Sequence, residues 1–168
     1  RGWHTEGGTA FVPPGLSGLR ALTANDSYIV GLKQDGTLMG WWFNGPLLDI
    51  PPIFTNAVSV AAGAGVVGTV RADGTVQFWS PQSSGPTPPA GLTGIRQLAL
   101  GAFHGLALRN DGTVLAWGGN DSGEATVPPG LTDVVSIAAG SRFSAALKAD
   151  GTVVRWGQTR PNDIPLPS

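Results

Sequence analysis

Along the later part of the chain, apolar and polar positions alternate in short runs that break at glycine. Ile95 to Leu100 is one run and stops at Gly101; His104-Gly105-Leu106-Ala107-Leu108-Arg109 is the next, and Thr113-Val114-Leu115-Ala116-Trp117 the third. Short runs with a period of two predict half-buried strands. Asn110-Asp111-Gly112 predicts a tight hairpin between the second and third, because glycine accepts positive φ and aspartate bonds nearby backbone amides. Asn120-Asp121-Ser122-Gly123 predicts a looser turn and Thr126-Val127 a short edge piece. Pro128-Pro129-Gly130 ends that piece, since proline cannot donate to a central ladder. No segment carries a sustained i, i+3, i+4 apolar stripe with caps, so helix content should be near zero. The unit is a small antiparallel sheet of three or four strands.

The same unit recurs. Asp-Gly-Thr occurs at Asp35, Asp73, Asp111 and Asp150, spaced 38, 38 and 39 residues apart. An aliphatic residue precedes each Asp by three positions (Leu32, Val70, Leu108, Leu147), and a Trp follows by six (Trp41, Trp79, Trp117, Trp156), with Trp3 as a fifth copy of that column. Pro-Pro pairs recur at Pro13, Pro51, Pro88 and Pro128. The repeat units run approximately 3–40, 41–78, 79–116 and 117–155, with 156–168 starting another, all in one repeat domain spanning 1–168. A lone three-stranded sheet cannot bury both faces, and stacking copies radially buries them while removing exposed edges. Small residues in Ala61-Ala62-Gly63 and Ala138-Ala139-Gly140 suit strands crowded at a central axis. The expected fold class is therefore all-β, a β-propeller with four blades of about 38 residues in this chain.

Composition agrees with that reading and closes off other functions. Gly at 26 and Pro at 14 supply turns, while 41% apolar content is too high for a disordered linker. Basic residues number 10 against 11 acidic and are scattered among the repeats, so the basic stripe a nucleic-acid or anionic-membrane partner needs is lacking. The absence of cysteine excludes disulfides, thiolate catalysis and cysteine zinc sites. No apolar run approaches the roughly 18 residues of a membrane span. The chain starts at Arg1, which leaves room for an export signal removed before maturation.

Val127 to Gly140, Val-Pro-Pro-Gly-Leu-Thr-Asp-Val-Val-Ser-Ile-Ala-Ala-Gly, resembles a regulator-of-chromosome-condensation (RCC1-like) repeat of the short bacterial type, as does its continuation from Ala145 to Gly157. The first two copies match less closely: Ala24-Asn25-Asp26 replaces Ala-Ala-Gly, and Ser80-Pro81 replaces the Gly after Trp. The resemblance implies an RCC1-like propeller, in that family a ring of about seven blades. It also implies protein binding, shared by nucleotide-exchange factors, secreted bacterial β-lactamase inhibitors and many extracellular members, and so a secreted or extracellular bacterial protein. Four blades are too few to close such a ring. Either this is a fragment, or two chains form an eight-bladed ring, or another subunit completes it; association, as a homodimer or with another subunit, is the preferred expectation.

Chemistry is sparse. Gly63-Ala64-Gly65-Val66-Val67-Gly68 matches a dinucleotide-binding pattern, but strand and hairpin residues follow where a helix is required. The two histidines, His4 and His104, lie far apart, and each Asp-Gly aspartate reads as a turn residue. No catalytic site, metal site or cofactor is expected. The Trp column suits inter-blade packing, leaving Trp42 and Phe43 exposed or at an interface. The informative positions are those where the copies differ: Asp26-Ser27-Tyr28, Ala64-Gly65-Val66, Ala102-Phe103-His104 and Ser141-Arg142-Phe143, together with the turns after Trp. In the inhibitor branch such turns form the partner-binding face. Candidate contacts are Tyr28, Trp42, Phe43, Phe103, His104, Asp121, Arg142 and Phe143, because aromatics and arginine dominate protein hot spots. A protein partner is expected; the alternative is a lectin-like propeller binding a glycan through Trp42, Tyr28 or His104.

Overall fold

The structure, a computed structural model, describes residues 17–43, 45–81 and 85–158. Trp3, His4, the Pro13-Pro14 pair, Asn44 and Gln82 lie outside them. Twelve strands form four three-stranded antiparallel sheets, with no helix among the described residues. The first blade holds β1 (Leu19–Ala24), β2 (Tyr28–Lys33) and β3 (Leu38–Trp42), and the second holds β4 (Ala57–Gly63), β5 (Val66–Arg71) and β6 (Val76–Trp79). The third holds β7 (Ile95–Leu100), β8 (His104–Arg109) and β9 (Val114–Gly118), and the fourth holds β10 (Val134–Ala139), β11 (Phe143–Lys148) and β12 (Val153–Gly157). Thr126-Val127 forms no strand; the nearest equivalent is a single bridge between Trp41 and Leu47 in the first blade.

Each blade is built by the same local chemistry. Asp35, Asp73 and Asp111 each accept the amide and hydroxyl of the Thr two residues on, at 2.9 Å and 2.6–2.7 Å, and Asp150 accepts the Thr152 amide at 2.8 Å. The intervening Gly36, Gly74, Gly112 and Gly151 have φ of 78–88°, which explains why glycine holds the column. Positive φ also falls just before each inner strand, at Gly18, Asn56, Gly94 and Asp133, residue types that tolerate it. One residue further in, each inner strand is bulged at the same place, between Leu19 and Ala21 and its three equivalents. A bulge there tightens the twist of the strand that must pack next to the axis.

Blades join front to back. Front positions of one blade, such as Leu106, Leu108 and Val114, pack against back positions of the next, such as Val134, Ile137 and Trp156. The same columns meet between the second and third blades, where Val66 and Val70 face Ile95, Leu98 and Trp117. A backbone bond repeats beside them: the amides of Ala57, Ile95 and Val134 donate to the carbonyls of Gly36, Gly74 and Gly112 in the preceding blade, at 3.0, 3.0 and 3.3 Å. Trp41, Trp117 and Trp156 are buried as the column predicts, and Trp79 is partly so. The ring is not closed: Leu22 on the back of the first blade is 63% exposed and Val153 on the front of the fourth 44%.

Trp117 lies over Gly105, its register partner, so closely that a Cβ there would stand 2.3 Å from the indole. Gly105→Ala should therefore cost about 1–3 kcal/mol of stability and shift the Trp117 emission. A urea denaturation midpoint equal to wild type would contradict this packing.

Candidate functional site

At one end of the blades the turns leaving the inner strands converge. Residues 24–27, 62–65, 100–102 and 139–141, from all four blades, line a cleft of about 410 Å³. Backbone bonds stitch its rim: Ala64 N donates to Gly101 O at 3.2 Å and Ala102 N to Gly140 O at 3.3 Å. In the first blade a side chain does this work. Asn25 Nδ2 donates to Gly63 O at 2.5 Å, while its Oδ1 accepts the amides of Ser27 and Tyr28. The loops after the Trp column emerge at the same end, for Phe43 N bonds Ser27 O, Gly119 N bonds Phe103 O and Gln158 N bonds Arg142 O. The two sets of variable turns thus share one face.

The expected contact residues separate into three groups. Phe103, 50% exposed, lies under the Arg142 guanidinium at 5.2 Å from its ring centroid, and Arg142 reaches Asp121 at 3.8 Å. These three, from the third and fourth blades, make one contiguous surface patch. Phe43 is exposed on the first blade, and Trp42 beside it is half-buried, meeting the edge of Tyr28 with centroids 5.7 Å apart. Neither joins the first patch.

Tyr28 and His104 are corrections to the reading of the variable turns as a contact face. With Val66 and Phe143 they open the middle strands β2, β5, β8 and β11, as the run from His104 predicts in the third blade, and they form one column on the fronts of the sheets. Tyr28 is wholly buried, with its hydroxyl donating to Gly63 O at 3.1 Å, so it offers no surface to a protein or a sugar. Burial pushes its phenol up to about 12, against a smaller lowering by Asn25. His104 is likewise buried, between the third and fourth blades. Phe143 is 38% exposed, but on the open end of the fourth blade, where Arg155 covers its ring at 4.8 Å.

Around His104 is a buried polar strut that the sequence reading missed. His104 Nε2 lies 2.8 Å from Ser144 Oγ, which donates to the Glu124 carbonyl at 2.8 Å; Trp156 Nε1 donates to that carbonyl at 2.9 Å. Since Ser144 has given its proton to Glu124 O, His104 must donate from Nε2, which leaves Nδ1 an acceptor with no partner among the described residues. A serine beside a histidine is the outline of a nucleophile and base, but this hydroxyl is buried and already engaged, and it ties one blade to the next. The Glu124 carboxylate accepts the Ser122 amide at 2.8 Å. Burial works against its ionisation, yet its own amide and that of Ser122, with His104 and Arg142 nearby, hold it below the usual carboxylate range. No group of three or more His, Cys, Asp or Glu is placed to hold a metal among the described residues. No helix among them is long and apolar enough to cross a membrane.

The family profile described as the regulator of chromosome condensation (RCC1) repeat matches residues 95–124 and 134–159. No curated protein matches the chain in sequence. Among solved structures, it is similar to the ectodomain of the Physcomitrella patens receptor kinase CR4, at 24% identity and a TM-score of 0.68 over 86% of this chain and 41% of that one. The Arabidopsis thaliana receptor kinase ACR4 ectodomain gives 22% identity and a TM-score of 0.66, over 89% of this chain and 53% of that one. Prp20p of Saccharomyces cerevisiae, described with its binding to Gsp1p and histones, gives 20% and 0.63, over 82% and 44%. The chain spans about half the length of each.

His104 gives a pH test of the strut. Burial holds it below its ordinary value near 6.5, with Glu124 partly opposing. Above about pH 6.5 it is neutral folded or unfolded; below that the unfolded chain takes the proton first, so stability is lost as pH falls toward the lowered folded value. Urea midpoints should drop between about pH 7.5 and about pH 5.5, and less steeply in His104→Gln, which keeps a donor and does not titrate. Equal slopes in the two proteins would show that His104 is not a buried neutral strut.

Proposed function

We propose that the chain is an RCC1-like repeat protein and a non-enzymatic module that binds another protein with the loop face of its propeller. The observation that carries this reading is the Phe103–Arg142–Asp121 patch at the rim of the cleft where the turns of all four blades meet. An exposed aromatic under an arginine, ringed by polar loops on a rigid sheet scaffold, has the composition of a protein hot spot. Prp20p, a structural neighbour, is described with protein partners, and that supports the same class of ligand here. Of the three residues that could serve a sugar site, Tyr28 and His104 are buried and Trp42 is half-buried against Tyr28, which supports a protein over a glycan. In this reading the four blades act as part of a larger ring, completed by association.

A double variant, Phe103→Ser with Arg142→Glu, tests the face. Both side chains project from loops, so folding should be kept while affinity for the captured protein falls at least about 30-fold. Calorimetry or surface plasmon resonance on a partner isolated with wild type reads the change. Specific signal on a glycan array, with no protein retained by wild type and lost by the variant, would overturn the reading.

A further inference from the structure

The contact patch and the buried strut are built from the same three segments. Phe103 precedes His104 at the start of β8, Arg142 stands two residues before Ser144 at the start of β11, and Asp121 stands three residues before Glu124 in the loop after β9. The first residue of each pair reaches the surface and the second is buried. The loop is closed on itself: Asn120 Oδ1 accepts the Ala125 amide at 2.9 Å, Asn120 O the Gly123 amide at 3.1 Å, and the Glu124 carboxylate the Ser122 amide at 2.8 Å. Its buried hold on the fourth blade is the Glu124 carbonyl, which accepts from the Ser144 hydroxyl and the Trp156 indole. Closing a junction does not require these groups. At the junction before, the His104 and Ser144 columns hold Val66 and Gly105, and Val66 belongs to an apolar cluster with Leu100 and Trp117. The repeat therefore does not impose the strut, which stands at the junction that carries the patch.

We propose that His104, Ser144 and Glu124 are the positioning residues of this patch: while His104 is neutral they hold the turns of Phe103 and Arg142 and the loop of Asp121 in one arrangement, and a second proton on the imidazole undoes it. This rests on the patch being the contact surface, and it concerns how that surface is held. The bonds run in one direction. His104 Nε2 donates to Ser144 Oγ and Ser144 Oγ to Glu124 O, both at 2.8 Å. On the surface Asp121 meets Arg142, and Arg142 lies over Phe103. A proton on Nδ1 would be a buried donor with no acceptor among the described residues. On that side the ring lies against Gly101, so closely that a Cβ there would stand 3.0 Å from Nδ1. Ser144 and Trp156, from β11 and β12, bring no charge. The Glu124 carboxylate, from the loop after β9, favours the imidazolium, while Arg142, from the turn before β11, is paired with Asp121 and attracts the same carboxylate. Burial outweighs Glu124, so the ring stays below its ordinary value of about 6.5 and the proton enters as the strut opens.

Exchange of the Trp156 indole proton, followed by NMR, reads the strut with no partner present, and the buried Trp117 indole, which makes no bond to the strut, is the internal standard. Between pH 7.5 and pH 5.5 the ratio of the two rates should rise severalfold, to at most about tenfold for one proton taken up on opening, and should stay constant in His104→Gln. Ser144→Ala should raise the ratio at both pH values and weaken binding of the protein captured by wild type at least about fivefold. Gly68→Ala is the control for lost stability alone. It crowds Phe78 and Leu98 at 2.8 and 2.9 Å, away from the strut, and should bind that protein as wild type does. A ratio indifferent to pH in wild type, or equally steep in His104→Gln, would overturn the proposal. So would Ser144→Ala binding at full strength while its Trp156 proton exchanges faster, or Gly68→Ala losing as much affinity as Ser144→Ala. If instead Phe103→Ser with Arg142→Glu binds as tightly as wild type, the contact reading and the strut's part in binding fall, while the pH response of Trp156 remains.

Discussion

The structure depends on one contact repeated: the back of each inner strand packed into the front of the preceding sheet, with a hairpin glycine carbonyl accepting the first strand amide. A three-stranded sheet has two faces and no means of covering either, so a blade gains its core only from its neighbours. Three such junctions bury Leu32, Val70 and Leu108, and burying a side chain of that size contributes about 1.5–3 kcal/mol each. The rest follows from this arrangement. Because the columns at the junctions are committed to packing, residues free to vary are pushed to the turns. Because the inner strands converge, those turns meet around one cleft.

Polar groups inside the junctions obey the same rule. Asn25 ties the first blade to Gly63, the Gln97 amide both donates to and accepts from the backbone of Ile137, and the His104–Ser144–Glu124 strut joins the third blade to the fourth. Each replaces part of a packed apolar contact with a directional bond between blades. Such bonds fix the register of one sheet against the next more sharply than leucines do, at the cost of burying groups like His104 Nδ1 and Trp117 Nε1 without partners.

The repeating frame was legible in the sequence because its demands are local and identical in every copy: positive φ at the hairpin glycine, a Thr bound to its Asp, an aliphatic and a Trp on buried faces. The three-strand blades and the shared face of variable turns follow from those columns. What misled was the boundary of the middle strand. Alternation does not say whether Tyr28 or His104 is the last residue of a turn or the first of a strand, and a one-residue difference moves the side chain from the surface into the junction. Glu124 gave no signal, since the groups that bind its carbonyl, Ser144 and Trp156, lie 20 and 32 residues away. Phe143, in the same column as Tyr28 and His104, is 38% exposed because no described blade follows the fourth.

A crystal structure of the protein measures the repeated junction directly. Ile95 should pack against Val70 and Val134 against Leu108 of the preceding blade, with the Ile95 and Val134 amides donating to the Gly74 and Gly112 carbonyls. Solvent between these sheets, or hairpin carbonyls that accept neither amide, would contradict it.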